Sequence, residues 1–129
     1  MKYVVNIEDM APDECDRSLR FATPDKKNQT FRDTYYLVDP AHSPSKNLQM
    51  GLTIVYANGK TTGHSHPTHE EVYYVIQGRG RMVVGETEYD IKAGDALYVP
   101  FGVFHTTYNT GILPLHLLWV TGHDVTKEG

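Results

Sequence analysis

Cysteine is almost absent from this sequence, since Cys15 is the only one in 129 residues. A single thiol cannot form an internal disulfide, and we therefore expect a reducing, cytoplasmic setting. Long apolar runs are also missing, because none approaches the ~18 residues that a membrane span requires. The amino-terminal segment MKYVVNIEDM has neither the apolar core nor the small-residue cleavage site of a secretory signal.

A strong excess of positive charge is lacking as well. The formal net charge is -4, the pI is about 5.9, and no basic stripe runs along the chain. Nucleic-acid binding therefore has little electrostatic support. We expect a small-molecule ligand or substrate, and no contact with nucleic acid or membrane.

The chain has 11 glycines and 7 prolines, and many of them separate short apolar runs. These runs are rich in Val, Ile, Tyr and Thr, which indicates the β-strands of a sandwich or barrel. The predicted strands and turns lie within residues 34–38, 48–59, 71–80, 81–91, 92–100, 104–111 and 114–120. The length suits one domain. Residues 1–47 are expected to form an N-terminal arm and strands that pack on a barrel formed by residues 48–129.

Three histidines and two glutamates are concentrated within residues 64–71, directly before an apolar run. His64 and His66 are two residues apart, so on a strand both side chains would point to the same side. Glu71 follows a bend at Pro67 and can return to the same point from the next strand. Two imidazoles and a carboxylate suit a first-row transition metal. A histidine cluster on a wet surface is the alternative interpretation of this segment taken alone.

A second polar pattern lies within residues 94–109. Gly94 and Gly102 permit backbone turns that other residues resist, and Pro100 ends a strand without needing a ladder donor. His105 opens the next strand and is a candidate fourth ligand. Asn109 can hydrogen-bond a turn that holds the strand pair in place.

Together the two patterns resemble the motifs of the cupin family, in its RmlC-like jelly-roll class. The matching residues are His64, His66, Glu71 and Gly78 in the first motif and Gly94, Pro100, Gly102, His105 and Asn109 in the second. The leading glycine of the first motif is displaced by one position to Gly59, or replaced by Gly63, and it shapes a turn without binding anything. The resemblance covers residues 48–120 and implies an all-β, double-stranded β-helix (jelly-roll) barrel with a single cupin domain.

The resemblance also implies one divalent transition metal per chain, held by His64, His66, Glu71 and His105. Such a site can hold Mn, Fe, Ni, Cu or Zn. Open coordination positions would take water, dioxygen or substrate oxygens, with the ion acting as a Lewis acid and a template. Glu71 is preferred over Glu70 because six residues separate it from Gly78, and because neighbours on a strand face opposite ways.

Several further residues are candidates for substrate binding. Strand phase places Tyr73 and Gln77 on the face of Glu71, and Thr107 on the face of His105. Arg81 could pair with a carboxylate or phosphate, and His116 could line the barrel mouth. Each also has a plain structural interpretation, as a buried tyrosine, a surface arginine or a core histidine. His69 is expected in a solvent-facing bend.

Three hypotheses about function remain open because this fold carries many chemistries. The first is a metal-dependent isomerase, epimerase or lyase acting on a small sugar, sugar acid or keto acid. The segment LYVPFGVFHTTYNTG resembles cupin-type sugar-phosphate isomerases, although no cluster of phosphate-binding cations is evident. The second is a metal-dependent dioxygenase, and the third is a non-enzymatic binder or sensor of metal or sugar. A homodimer is expected in each case.

Overall fold

The computed structural model describes residues 3–12, 31–61 and 63–123. Cys15 and the rest of residues 13–30 lie outside this described part. A short 3-10 helix spans Ile7–Asp9, and eight strands follow: β1 (Arg32–Val38), β2 (Leu48–Val55), β3 (His69–Gln77), β4 (Arg79–Val84), β5 (Thr87–Lys92), β6 (Ala96–Val99), β7 (His105–Asn109) and β8 (Leu115–His123). Within the described residues, no helix has the length and apolar character needed to cross a membrane.

The strands form two antiparallel sheets. The larger sheet has the order β1-β2-β8-β3-β6, and the smaller has the order β5-β4-β7. Several neighbouring strands are distant in sequence, as in β2 beside β8 and β4 beside β7, because the chain crosses repeatedly between the sheets. This arrangement confirms the predicted all-β jelly-roll class. It also brings β1, from the predicted N-terminal section, to the edge of the larger sheet.

Alternating side chains of the larger sheet fill the space between the two sheets. Val55, Leu115 and Leu117 are fully buried, and Met82 on β4 meets them from the smaller sheet. Such alternation follows from the two-residue period of a strand. It also explains why β8 shows strict alternation between buried and partly exposed residues over most of its length.

The outer face of the larger sheet is apolar across four strands. By strand register, one row runs through Met50, Val120, Val72 and Tyr98, and the next through Leu52, Leu118, Tyr74 and Ala96. Val72, Tyr74 and Tyr98 are 44%, 42% and 53% exposed. These two rows are named the outer rows below. Exposed apolar patches are typical of interaction surfaces.

Asn109 joins elements that are far apart in the sequence, as predicted for this position. Its Nδ2 donates to the carbonyl oxygens of Val55 and Leu113, each at 2.9 Å. Its Oδ1 accepts from the amide of Gly111 at 2.8 Å. The side chain therefore satisfies buried backbone groups of β2 and of the β7–β8 turn together, which fixes β7 within the barrel.

Candidate metal centre

Four potential metal ligands meet at one end of the barrel. His64, His66, Glu71 and His105 each offer a ligand atom, and these atoms all lie within 4.8 Å of one another. Glu71 comes from β3 in the larger sheet and His105 from β7 in the smaller sheet. The two remaining histidines lie on the segment between β2 and β3. The group therefore spans the gap between the sheets.

The segment that carries His64 and His66 is extended but is not the strand that the sequence predicts. It forms a single bridge, in which the backbone amides and carbonyls of His64 and His105 pair at 3.1 Å and 2.9 Å. Two residues on, the carbonyl of His66 accepts from the amide of Gly102 at 2.7 Å. Gly102 has a φ of 71°, a conformation that glycine adopts easily. Backbone hydrogen bonds to the β6–β7 loop and β7 therefore position the two imidazoles.

The neighbours Glu70 and Glu71 point to opposite sides of the larger sheet. The predicted bend is confined to a turn at Pro67 and Thr68, so β3 begins at His69 and includes both glutamates. Glu71 is only 4% exposed and faces the barrel interior. Glu70 lies on the other face, where its Oε1 accepts from the Tyr98 hydroxyl at 2.9 Å. The geometry therefore separates the interior carboxylate from an exterior one.

Glu71 and His105 each have a buried polar atom that lacks a hydrogen-bond partner. Glu71 Oε2 lies 3.5 Å from His66 Nε2 and 3.6 Å from His105 Nε2, which is too long for a good hydrogen bond. Both Glu71 Oε2 and His105 Nε2 therefore have no hydrogen-bond partner. Water does not replace one, because His105 is only 2% exposed and Glu71 only 4% exposed. Such groups are costly unless something else binds them. An ion bound between these atoms would satisfy both, so the donor set fits a metal.

The tautomer of His105 is set by its backbone contact. Nδ1 lies 3.1 Å from the carbonyl oxygen of Val103. Because a carbonyl can only accept, Nδ1 carries the hydrogen and Nε2 keeps a free lone pair. A backbone partner on the outer nitrogen is the usual way of orienting a metal-binding histidine.

The ionisation of the group follows from burial and mutual attraction. Burial raises the pKa of Glu71, but interactions with His105, Tyr73 and His66 outweigh it and leave that pKa below its ordinary value. Burial lowers the pKa of His66, and the opposing charge of Glu71 only partly offsets this effect. Burial also lowers the pKa of His105, yet Glu71 and the Val103 carbonyl raise it overall. An ionised carboxylate and a neutral His66 are the forms that bind a metal.

A cavity of about 500 Å³ opens beside these donors and extends into the barrel. Three of the four donors, His64, His66 and Glu71, line it. Its walls also include Arg32, Thr34, Tyr36, Gln49, Thr53, His69, Tyr73, Leu117, Trp119 and Thr121. His69 contacts His123, with Nε2 to Nδ1 at 3.3 Å, and is half-buried at the rim. Arg32 and Trp119 are not among the residues predicted for this site, because their place in the cavity depends on pairings between strands that are distant in sequence.

Of the residues predicted to bind substrate, Tyr73 lines this cavity. It is buried, and its ring lies 5.8 Å from that of His105. Burial raises the pKa of Tyr73 well above its ordinary value, and Glu71 raises it further. The phenol therefore stays protonated at neutral pH.

The other four predicted residues lie outside the cavity walls. An irregularity in register between Val75 and Gln77 breaks the alternation, so Gln77 is exposed instead of facing the interior, and it donates to the Pro114 carbonyl. Arg81 lies with its guanidinium 4.9 Å from the Tyr108 ring centroid. Thr107 is buried within β7, and its amide donates to the hydroxyl of Thr61. His116 lies on the outer face of β8, opposite the buried Leu115 and Leu117.

This barrel, with its histidine and glutamate cluster at one end, has the architecture of a cupin. Residues 51–121 match the family model described as the cupin domain. The chain therefore belongs to the cupin family.

Particular relatives differ in what they do. Oxalate decarboxylase OxdC from Bacillus subtilis is 32% identical over 95 residues, covering 69% of this chain and 25% of that protein. A solved structure of the Bacillus subtilis enzyme, which has Mn(II) centres, matches with a TM-score of 0.66 and 30% identity over 72% of this chain and 26% of that chain. The fold similarity therefore covers about a quarter of the larger enzyme.

Two further relatives are named for other functions, an isomerase and a binding protein. Glucose-6-phosphate isomerase from Thermococcus kodakarensis is 36% identical over 95 residues, covering 60% of this chain and 50% of that protein. An oxalate-binding protein from Thermotoga maritima is 32% identical over 89 residues, covering 64% of this chain and 74% of that protein. The chain thus spans about half the isomerase, and its similarity extends to enzymes and to a binding protein.

Proposed function

We propose that this cupin is a mononuclear metal-dependent enzyme that isomerises, epimerises or eliminates from a small sugar acid or oxo acid. The observation that carries the proposal is the pair of buried, unsatisfied atoms, Glu71 Oε2 and His105 Nε2, beside a cavity that Glu71 lines. His64, His66, Glu71 and His105 would hold a divalent first-row ion. Manganese is favoured within that group, because a relative that matches this fold has Mn(II) centres.

The bound ion would supply Lewis-acid polarisation of a substrate oxygen. The protein contributes position and charge. Glu71 stays ionised because its pKa lies below the ordinary value. His105 is held in one orientation by the Val103 carbonyl at 3.1 Å. Tyr73 keeps its proton and interacts through it with the Glu71 carboxylate, which helps to keep Glu71 ionised, and Tyr73 cannot act as a base near neutral pH.

A second candidate is a binding protein without turnover. It is supported by the oxalate-binding relative, and by the small number of acid–base groups in the cavity. Among the described residues that line the cavity, His69 is the only histidine or carboxylate outside the four candidate ligands. Ligand binding that is tight but leaves sugars, sugar acids and oxo acids unchanged would favour this candidate.

Metal analysis of protein purified without added metal tests the site. We expect one ion per chain in the wild type and none in the double variant His64→Ala, His105→Ala. His116→Ala is the matched control, because this histidine lies on the outer face of β8. A double variant that retains one ion with wild-type affinity would contradict the site.

Turnover is measured on the metal-loaded protein with a panel of sugar acids and oxo acids, together with oxygen uptake. Conversion without oxygen consumption supports the proposal. Bound iron or copper with substrate-dependent oxygen uptake would instead establish the dioxygenase that the sequence leaves open.

A further inference from the structure

The polar groups deep in the cavity are engaged with one another. The indole N–H of Trp119 donates to the hydroxyl of Thr53 at 3.0 Å. The hydroxyls of Thr53 and Thr34 lie 3.2 Å apart, and the guanidinium of Arg32 donates to the hydroxyl of Thr34. Because these groups already have partners within the protein, the deep end of the cavity has little hydrogen-bonding capacity left for a ligand.

The polar groups at the rim of the cavity are not engaged in this way. By strand register, Glu71, Thr121 and Gln49 form one row on the interior face of β3, β8 and β2, which is named the rim row below. The hydroxyl of Thr121 lies 3.5 Å from Oε1 of Gln49, which is too long for a good hydrogen bond. Among the residues that the structure describes, Nε2 of Gln49 has no hydrogen-bond partner. The side-chain amide of Gln49 and the hydroxyl of Thr121 are therefore available to a ligand.

The rim row leads from the metal ligands into a second cavity. This second cavity, of about 210 Å³, shares Gln49, Thr121 and His69 with the first. Neighbouring strands lie roughly 4.8 Å apart, so Gln49 is roughly 10 Å from Glu71 across the sheet. A ligand held at the metal ligands can therefore extend across β8 toward Gln49 without entering the deep end of the first cavity.

Trp119 forms the floor beneath this path. A Cβ on Gly51 would overlap the Trp119 ring, so the ring lies against the backbone of β2 two residues from Gln49. Its indole N–H bond to Thr53 and the Tyr36 ring, at a centroid distance of 5.6 Å, hold it there. An aromatic surface with a few placed polar groups is the usual composition of a small-molecule site.

The chemistry of the rim row favours hydroxyl groups on the ligand. A hydroxyl both donates and accepts hydrogen bonds, as do the side-chain amide of Gln49 and the hydroxyl of Thr121. Neither side chain carries a charge for an ionic group to pair with. At the other end of the row, the candidate ligands fit a divalent ion, and carboxylate oxygens are suitable partners for an ion such as Mn²⁺.

We propose that the cavity binds an open-chain sugar acid, with its carboxylate at the metal ligands and its outer hydroxyl groups on Thr121 and Gln49. The inference rests on the proposed function and specifies its substrate class. Gln49 is the residue that determines specificity for the hydroxylated chain, because it lies at the end of the rim row farthest from Glu71. An acid without outer hydroxyl groups would form no hydrogen bonds with Thr121 and Gln49 and would bind more weakly.

Titration of Trp119 fluorescence tests this assignment, since Trp119 is the one tryptophan in the chain and lines the same cavity as Gln49. The probes are D-gluconate, 2-hydroxyhexanoate and oxalate. The second has the same chain length and the same hydroxy-acid end as gluconate, but it lacks the outer hydroxyl groups. In the metal-loaded wild type, we expect gluconate to bind about 10- to 100-fold more tightly than 2-hydroxyhexanoate, as for two neutral hydrogen bonds.

Variants of the rim row separate the hydroxyl contacts from the metal contact. Gln49→Leu removes the amide and should weaken gluconate binding by about 3- to 10-fold. Its affinities for 2-hydroxyhexanoate and oxalate should stay within about twofold of the wild type. Thr121→Val keeps the shape of the side chain without its hydroxyl and should weaken gluconate binding by a similar factor. Gln77→Leu is the matched control, because this exposed glutamine on β3 lies outside both cavities.

Four outcomes would overturn the inference: equal binding of gluconate and 2-hydroxyhexanoate, full preference for gluconate in both Gln49→Leu and Thr121→Val, equal losses for gluconate and oxalate in Gln49→Leu, or no binding of any probe by the metal-loaded protein. Metal content is measured on the same samples. A wild type without metal contradicts the proposed function, whereas a metal-loaded wild type without preference for gluconate contradicts this inference alone. Gln49→Leu should hold as much metal as the wild type, which also shows that it folds.

Discussion

The two faces of the larger sheet differ in chemistry although they are formed by the same strands. The inner face of β3 carries Glu71, Tyr73 and Val75, all buried, while the outer face carries Val72, Tyr74 and Ile76, all exposed. The polar and ligating groups are thus on the inside, and much of the exposed apolar surface is on the outside. Buried ligating groups and a row of exposed apolar side chains both depart from the usual distribution in a globular domain.

This difference indicates that the two faces serve different purposes. The inner face encloses a cavity with the features of a ligand site, namely apolar walls and a few fixed polar groups. The outer rows present a continuous apolar surface, which is typical of an interaction surface. Adjacent residues on one strand therefore provide matched pairs for experiments, because a change of one position moves a side chain from one face to the other.

The largest difference in metal affinity is expected between substitutions of Glu71 and of Glu70. Glu71→Ala should weaken metal binding by about 100-fold or more, since even the groups that orient metal ligands contribute about 10- to 100-fold. Glu70→Ala should change metal affinity by less than about twofold, as for a surface substitution away from the site. Both affinities can be measured by competition with a chelator. Equal losses in the two variants would show that the faces are wrongly assigned.

The next difference, in the free energy of unfolding, is expected between substitutions of two glycines on neighbouring strands. A Cβ on Gly51 would lie 2.1 Å from the Trp119 ring, whereas a Cβ on Gly122 would meet no atom within 4 Å. Gly51→Ala should therefore lower the free energy of unfolding by about 1–3 kcal/mol through overpacking. Gly122→Ala should change it by less than about 0.5 kcal/mol. Urea unfolding measures both, and a stable Gly51→Ala protein would contradict the close packing of Trp119.

The pH dependence of metal binding should come from the inner face. The raised pKa of His105 means that this imidazole takes up a proton first as the pH falls, and His66, with its lowered pKa, follows. Since a metal binds the neutral imidazole, affinity should fall with decreasing pH. The expected slope reaches about tenfold per pH unit for each proton that must be displaced.

His116→Gln is the control for this experiment, because it removes a histidine from the outer face of the same sheet. Its curve of metal affinity against pH should coincide with that of the wild type. A metal affinity that is independent of pH between 5 and 8 would contradict histidine ligation.

Substitutions in the outer rows are expected to change the stability of the folded chain least. We propose that they bind a second copy of the chain, which gives the homodimer predicted from the sequence, because a flat apolar face can pair with itself about a twofold axis. Val72→Lys with Tyr74→Lys should raise the dimer dissociation constant by about 100-fold. The stability of the monomer should change by less than about 0.5 kcal/mol, since both side chains are exposed already.

Sedimentation analysis distinguishes these states, with Glu88→Lys on the exposed part of β5 as a matched charge control. A wild type that is monomeric at every concentration would contradict the homodimer.

The sequence predicted the strand pattern and the interior position of Glu71, because both depend on local alternation and on spacing within one segment. The hairpin at Gly85 and Glu86 is confirmed for the same reason. The four candidate ligands lie close together in the structure, and only the resemblance paired the two distant segments that carry them. The donors of His64 and His66 converge even though the strand expected there is absent, since backbone bonds to the β6–β7 loop and β7 replace it.

Features that depend on register between distant strands were beyond the sequence. The irregularity between Val75 and Gln77 exposes Gln77, and no local signal marks it. Arg32 faces the cavity only because β1 pairs with β2, which pairs with β8. Alternation with Thr34 indicates that Arg32 points to the interior of the barrel. It does not indicate which strand lies opposite Arg32.

The separation of the candidate ligands along the chain has a thermodynamic consequence. His64 and His105 are brought together by closure of the barrel, so the unfolded chain has no equivalent site. An ion that binds only the native state stabilises it in proportion to the logarithm of its free concentration, by about 2.7 kcal/mol at 100 times Kd. The same ion would thus act as a ligand for folding, and a chelator would lower the melting temperature of the whole domain.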